Sequence, residues 1–243
     1  ADGSWSLNLD PATLTGLANT THTISVVATD SYGNSVPVSG SFDAILNLPD
    51  PTIVNPFGPG LGISEAAGAV IITGTTGIPV VAGQDQTVTL KVDINGVVYD
   101  GVVDASGTWT VTLPQGALSG LSNGAHQITV TVIDAAGNPA TETLEFNAYL
   151  TLPQPTLAVP FDNGYLNEDT LAGAVLTGTT GAVGAGQSVS VSFGGLAGLP
   201  AVVNDDGTWS LTLTAGEMGD IRGLGESQQN VVITVTDPGG NTN

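Results

Sequence analysis

Between residues 88 and 148 apolar and polar positions alternate with the period of two that marks half-buried strands. Val88, Leu90, Val92 and Ile94 alternate with Thr89, Lys91 and Asp93, and Asn95-Gly96 then supplies the left-handed residues of a two-residue hairpin turn. Trp109, Val111 and Leu113 alternate with Thr108, Thr110 and Thr112, and Ile128, Val130 and Val132 with Thr129 and Thr131. Leu144, Phe146 and Ala148 make a last strand. With openings at 52–56, 69–76 and 97–103, the pattern predicts seven short strands rich in Thr and Val, the sequence form of an all-β, Ig-like Greek-key β-sandwich. No stretch carries a helical period, although 114–121 and 215–224 have room for a single turn.

The same pattern recurs. Asp104-Ala105-Ser106-Gly107-Thr108-Trp109 has copies at Asp2-Gly3-Ser4-Trp5 and Asp205-Asp206-Gly207-Thr208-Trp209. A second motif follows each copy: Asp30-Ser31-Tyr32-Gly33-Asn34, Asp134-Ala135-Ala136-Gly137-Asn138 and Asp237-Pro238-Gly239-Gly240-Asn241. Two motifs repeating at one interval of 100 to 104 residues define a tandem array of domain-sized repeats rather than a short-repeat solenoid. Residues 1–48 match only the second half of a repeat, 49–150 a complete one, and 151–243 one that lacks its last strand. We expect the chain to be a piece of something longer, with completion of the half-repeat by another chain as the alternative. The runs joining the repeats, Leu48-Pro49-Asp50-Pro51 and Leu152-Pro153-Gln154-Pro155, are bracketed by prolines that fix φ and stiffen the joint.

Composition narrows the function. The only cations are Lys91 and Arg222, against 22 acids, for a net charge of −20. Nucleic-acid phosphates and anionic lipid headgroups both require clustered Lys or Arg, so neither is an expected partner. No apolar run approaches a membrane span, so direct insertion is not expected either. An acidic surface of this kind stays soluble by self-repulsion and recruits divalent cations. There is no cysteine, hence no disulfide to hold the repeats together.

If successive strands reverse direction, the loops at 77–86, 104–107 and 134–139 share one pole, where the preceding repeat docks. Asp85, Asp104, Asp134 and Asn138 gather there, and by repetition Asp205, Asp206, Asp237 and Asn241 gather at the next joint. Asp2, Asp30 and Asn34 are their counterparts in the first repeat. Two readings are open: oxygen-rich loops that bind Ca²⁺, or turns whose Asp and Asn bond only their own backbone. No segment has EF-hand spacing.

Catalysis is not expected. His22 and His126 occupy one repeat position where the third repeat has Gln229, an exchange no proton-transfer residue survives. Glu65, Glu168 and Asp169 lie in repeated loops with no accompanying pocket residues. The tryptophans share a strand face with Val111 and Leu113, which favours core packing over a sugar platform. Asp162-Asn163-Gly164-Tyr165, an acid beside an aromatic, is the residue set behind the alternative function, a Ca²⁺-dependent carbohydrate-binding module.

Four motifs in constant order, Glu65-Ala66-Ala67-Gly68, Thr73-Gly74-Thr75-Thr76-Gly77, Asp104 to Trp109 and Asp134 to Asn138, resemble the bacterial Ig-like repeats of giant RTX adhesins. The third repeat carries Thr177-Gly178-Thr179-Thr180-Gly181 and Asp205 to Trp209 in the same order. The resemblance implies a structural extender: type I secreted, extracellular repeats at the bacterial cell surface, stiffened by Ca²⁺. Such repeats project a distal ligand-binding region for adhesion or biofilm formation, with the host or surface ligand bound elsewhere in the parent. It implies Ca²⁺ ligands at Asp30 with Asn34, Asp134 with Asn138, and Asp237 with Asn241, the partners being neighbouring Ig-like repeats of the same chain. One departure is visible. Such repeats often carry an acidic Val-Asp-Thr-Thr-Ala-Pro linker, whereas here only the first linker has an acid, Asp50.

Overall fold

A computed structural model describes residues 3–78, 89–161, 164–171, 173–182 and 184–243. The first repeat holds α1 (Pro11–Leu14), β1 (Thr21–Thr29) and β2 (Ser35–Asp43). The middle repeat holds β3 (Thr52–Val54), β4 (Leu61–Gly62), α2 (Ile63–Ala67), β5 (Val70–Thr75), β6 (Thr89–Ile94), β7 (Val97–Asp100), β8 (Val102–Val103), β9 (Thr108–Leu113), β10 (Gly124–Ile133) and β11 (Pro139–Tyr149). The third holds β12 (Thr156–Leu157), α3 (Glu168–Leu171), β13 (Val175–Thr179), β14 (Ser188–Phe193), β15 (Leu196–Val203), β16 (Thr208–Thr212), α4 (Ala215–Arg222) and β17 (Val232–Thr236). The fold is all-β. The middle repeat builds sheets of order β4-β11-β10-β6-β7 and β3-β5-β9-β8, and the third a run of order β12-β13-β16-β15-β14-β17.

The chain divides into two compact units. One comprises Ala1–Val54, Ile72–Val111 and Thr129–Leu144, the other Asn55–Ile71, Thr112–Ile128 and Glu145–Asn243. Within the first, β6 and β7 form the hairpin expected from Asn95-Gly96, with φ of 53° and 81° at the two turn residues. The chain then changes sheets: β7 pairs with β6, and β8 pairs with β9. Gly101 makes the crossing. A Cβ there would lie 1.8 Å from Leu90 Cδ2, so any larger residue would have to displace that buried side chain. In the second unit β15 makes the same crossing unbroken, pairing with β14 through Val189↔Ala201 and with β16 through Val203↔Trp209.

The alternation read from the sequence is the burial pattern. Leu90, Val92, Ile94, Trp109, Val111, Leu113, Ile128, Val130, Val132, Phe146 and Ala148 are all buried, while Thr89 and Lys91 are exposed. Val88 lies outside the described residues. In the third repeat Trp209, Leu211, Leu213, Val189, Val191, Phe193, Leu176, Ala174 and Val235 form one buried cluster. Trp109 and Trp209 are core residues, 0% and 1% exposed. Each indole N–H also finds a backbone acceptor, Trp109 Nε1 donating to Thr52 O at 3.1 Å and Trp209 Nε1 to Thr179 O at 3.2 Å.

Two expectations change. Residues 3–9, where the copy of the Trp109 motif predicts a strand around Trp5, form none, and Trp5 is 67% exposed. In the middle repeat the equivalent β9 lies between β5 and β8, and the described residues 3–48 contain no counterpart of those two strands. The hairpin of β1 and β2, in register from Thr21↔Asp43 to Thr29↔Ser35, accordingly leaves Ile24, Val27, Val36 and Val38 exposed. The second change is helical. α4 runs two turns behind a capping box, Thr214 Oγ1 accepting from Glu217 N–H and Glu217 accepting from Thr214 N–H. The segments α2 and α3 are too short for a period of 3.6 to register in sequence.

The contrast between the tryptophans is testable by chemical denaturation. Trp109→Ala or Trp209→Ala should cost about 3–5 kcal/mol, the usual loss for a buried large aromatic, whereas Trp5→Ala should stay within about 0.5 kcal/mol of the parent.

Candidate functional site

The repeated motifs meet where the chain runs into each repeat. In the middle repeat a Cβ on Gly74 would lie 1.9 Å from Thr52 O and 2.7 Å from the Trp109 ring, so the glycine lets β5 close on the incoming strand. Gly77, at φ +64°, has Asp50 O only 2.0 Å from where its Cβ would be. Thr76 N–H donates to Gly107 O at 2.8 Å, tying the Thr-Thr-Gly loop to the loop before the tryptophan. The third repeat repeats each detail. Gly178 abuts Thr156 O, Gly181 at φ +61° abuts Gln154 O, and Thr180 N–H donates to Gly207 O at 2.8 Å.

The Asp-x-x-Gly-Asn loops complete this pole. Asp134 Oδ1 accepts from Ala136 N–H and Asn138 N–H, both at 2.9 Å, and its Oδ2 accepts from Asn138 Nδ2 at 2.8 Å. The same Nδ2 also donates to Ile45 O, at 3.0 Å, in the run leaving the first repeat. One repeat later Asn241 Nδ2 donates to Asp237 Oδ2 at 2.8 Å and to Tyr149 O at 2.6 Å, while Asn241 Oδ1 accepts Ile63 N–H at 2.8 Å. Tyr149 stands 104 residues after Ile45, so both asparagines grip the same position of the repeat before them. The second junction adds a backbone approach. A Cβ on Gly62 would fall 1.9 Å from Gly239 O, and Asn243 Nδ2 donates to Pro153 O at 2.7 Å.

The sequence thus placed Asp134, Asn138, Asp237 and Asn241 at the junctions, and there they lie, Asp134 and Asp237 buried. Asp30 and Asn34 keep the same internal bonds, Asn34 N–H and Nδ2 both donating to the Asp30 carboxylate at 2.9 Å, and both residues are exposed. Asp104 is occupied within its own loop by Ser106 and Thr108. Asp205 is exposed and is not the counterpart of Asp104. Counting back from the tryptophan, that place belongs to Asn204, whose N–H and C=O bond Thr208 and Gly207 as those of Asp104 bond Thr108 and Gly107. The pair of neighbouring aspartates masked this one-residue offset. Asp2, Asp85, Asp162 and Asn163 lie outside the described residues.

Hydrogen bonds alone set the carboxylate chemistry of the exposed loops. Asn34 holds Asp30, the Ser106 hydroxyl holds Asp104, and the Thr208 hydroxyl holds Asp206 below the ordinary aspartate range, with backbone N–H groups adding to each. Partial burial pushes Glu65 up. The Arg222 guanidinium lowers Glu168 in an exposed ion pair at 2.7 Å, and Lys91 pairs with Asp100. His22 and His126 have structural places at strand starts. Each Nε2 lies 2.8 Å from a backbone carbonyl, Ala18 O or Ser122 O, and each ring lies against a phenylalanine, Phe42 or Phe146.

Ca²⁺ takes six to eight oxygens at 2.3–2.6 Å. At each junction the side chains supply a carboxylate and an amide, and the backbone a carbonyl. The group facing both oxygens is the Asn NH₂, which as a donor cannot share that place with a cation. Turning the amide over would offer Oδ1 instead, but at Asn241 it would forfeit the bond from Ile63 N–H. Among the described residues no three or more His, Cys, Asp or Glu side chains gather closely enough to hold a metal. As arranged, these two loops do not fit Ca²⁺.

The loop carboxylates make a pH prediction. A carboxylate depressed in the folded state adds stability that is present above its unfolded value of about 3.9 and is lost as pH falls through the folded one. Thermal unfolding should therefore show a loss below about pH 4, and Asp206→Asn, which keeps the acceptor oxygen but cannot titrate, should reduce that loss.

Residues 75–148 match the bacterial Ig-like domain family. A solved structure described as a Ca²⁺-stabilized adhesin that helps an Antarctic bacterium reach out and bind ice is 27% identical, over 92% of this chain and 54% of that one, at a TM-score of 0.37. A tetra-tandem repeat from the extending region of a large adhesion protein is 22% identical, over 94% and 55%, at 0.37. A single bacterial immunoglobulin-like domain of the M. primoryensis ice-binding adhesin is 30% identical, over 42% of this chain and 96% of that one, at 0.30. The chain spans about half the length of the first two. Among curated proteins none matches. The family match thus falls within the middle repeat, whose residues 75–148 are similar to bacterial Ig-like domains.

Proposed function

We propose that this chain is an extender segment of a bacterial cell-surface adhesin, a run of Ig-like repeats that provides reach and stiffness while the adhesive ligand binds elsewhere in the parent. The observation that carries the reading is the recurrence of one joint. Asn138 and Asn241 reach back to the same carbonyl position of the preceding repeat, so the repeats are built to be joined in a fixed way. A module that binds its own ligand needs one repeat that departs from its neighbours around a hollow. Here the repeated motifs serve the joint itself. No helix among the described residues is long and apolar enough to cross a membrane. Type I secretion, an extracellular location and a part in biofilm formation belong to this proposal through the resemblance of the motifs to RTX adhesin repeats.

Calcium stiffening is the second reading, favoured by charge. The only two Lys or Arg residues are paired at Asp100 and Glu168, so the acidic poles have no basic side chain to neutralise them. The residues this reading would engage are those named from sequence, Asp2, Asp30, Asn34, Asp104, Asp134, Asn138, Asp205, Asp237 and Asn241. The orientation of the two junction amides stands against it.

Deleting one repeat interval in register, residues 47–150, from the surface-displayed parent should lower cell attachment under flow and leave binding of the isolated adhesive region unchanged. Selective binding of this segment alone to a glycan array would instead sink the extender reading in favour of the carbohydrate-binding module. At the second junction, Gly62→Ala should broaden the solution shape distribution seen by small-angle scattering, because its Cβ would fall 1.9 Å from Gly239 O.

A further inference from the structure

We infer that both junctions are metal-independent amide clamps, in which one asparagine NH₂ does the work of a bridging cation, and that each stands one substitution from a calcium-dependent joint. The inference deepens the extender reading and rests on it for its biological meaning. At each joint two oxygens converge, a buried aspartate Oδ2 and the carbonyl that ends the last strand of the preceding repeat or its equivalent. Two acceptors brought together and withdrawn in part from water repel unless something positive lies between them. A divalent cation is one solution, and a primary amide is another, because its nitrogen carries two hydrogens and can satisfy one acceptor with each. Asn138 and Asn241 are placed to do this, at 2.8 and 3.0 Å in the first joint and 2.8 and 2.6 Å in the second.

The orientation of the amide is fixed independently at the second joint. Asn241 Oδ1 accepts the N–H of Ile63, so the nitrogen is left to face Asp237 and Tyr149. That N–H opens α2 beside Gly62, where Gly239 already packs backbone to backbone, so the joint has no slack to turn the amide over. The first repeat provides a comparison. Asp30 and Asn34 hold the same internal bonds in an exposed loop, so the clamp is formed by its own turn before a neighbour supplies the carbonyl. Replacing Asn241 by Asp removes both hydrogens and sets two carboxylates and a carbonyl against one another. That is a repulsive group without metal and an oxygen-rich one for Ca²⁺.

The absence of cysteine makes the test clean, since nitroxides on Ser64→Cys and Ser188→Cys, both exposed positions on either side of the second junction, are the only labels. Pulsed electron-spin distance measurements are made in EDTA and in millimolar CaCl₂. The otherwise wild-type chain should give the same narrow distribution in both. Asn241→Asp should be broad in EDTA and narrow on adding Ca²⁺, with a midpoint on the order of 10⁻⁴–10⁻³ M, as in extracellular modules of modest affinity. Asn241→Ala should be broad in both. Asn34→Asp, in the loop with no described partner repeat, controls for damage to the turn and should leave the distribution unchanged. Broadening of the unsubstituted joint in EDTA with recovery in Ca²⁺ would overturn the inference, because the amide would then be turned over around an ion. So would an Asn241→Asp joint that stays narrow without metal. The spin-label result does not depend on the glycan array or the attachment assay, so failure of the clamp and failure of the extender reading are separately visible.

Discussion

A primary amide held between a carboxylate and a main-chain carbonyl is the interaction on which each junction depends. Hydrogen bonds with one charged partner contribute about 1.5–3 kcal/mol, roughly twice the neutral kind, and they count for more where water is excluded. Asp134 and Asp237 are buried, so their charges have to be met locally, and N–H groups of their own turns meet them. The asparagine that closes each turn is then left with one hydrogen to offer the preceding repeat. Turn formation and joint formation are thus one act performed by one side chain.

The same economy runs through the rest of the pole. Gly74 and Gly77 let the backbone of β5 and its following loop close on the incoming linker, and Gly178 and Gly181 do so again. The Trp109 indole is buried to its last atom yet donates its N–H to Thr52 O and Thr75 O, so it ties the core to the strand that enters the sandwich. Each motif that recurs at intervals near 100 residues therefore touches either the incoming strand or the preceding repeat. Repetition of the motifs is repetition of the joint.

A chain with 22 acids and two Lys or Arg residues has to manage negative charge without salt bridges. It does so by hydrogen bonding. Asp30, Asp104 and Asp206 are held in the anionic form by hydroxyl, amide and backbone donors in their own loops, at exposed sites where water screens what remains. Both cations are engaged, Lys91 with Asp100 across β6 and β7, and Arg222 with Glu168 between the two helical segments of the third repeat. The acidic loops are left to amides.

Side-chain alternation along a strand is a local property with a period of two, so the core was legible before any fold was known, from Leu90, Val92 and Ile94 to Trp109, Val111 and Leu113. The repeat interval was equally legible, and with it the prediction that the Asp-x-x-Gly-Asn loops face the preceding repeat. Three things were not. The short α2 was hidden, and α4 was legible only as room for a single turn at 215–224, because one or two turns give no measurable period. The strand around Trp5 did not form, because a strand needs neighbours and the described residues 3–48 hold no counterpart of β5 or β8. The orientation of Asn138 and Asn241 was out of reach for a more basic reason. Composition says that oxygen-bearing side chains gather at a joint, but whether an amide turns its nitrogen or its oxygen inward is decided by what it meets. Here those groups are Ile45 O, 93 residues away, and Tyr149 O, 92 residues away. Sequence brought Asp134, Asn138, Asp237 and Asn241 to the junctions, and the tertiary structure alone decided that a donor, rather than an acceptor, stands between the two oxygens there.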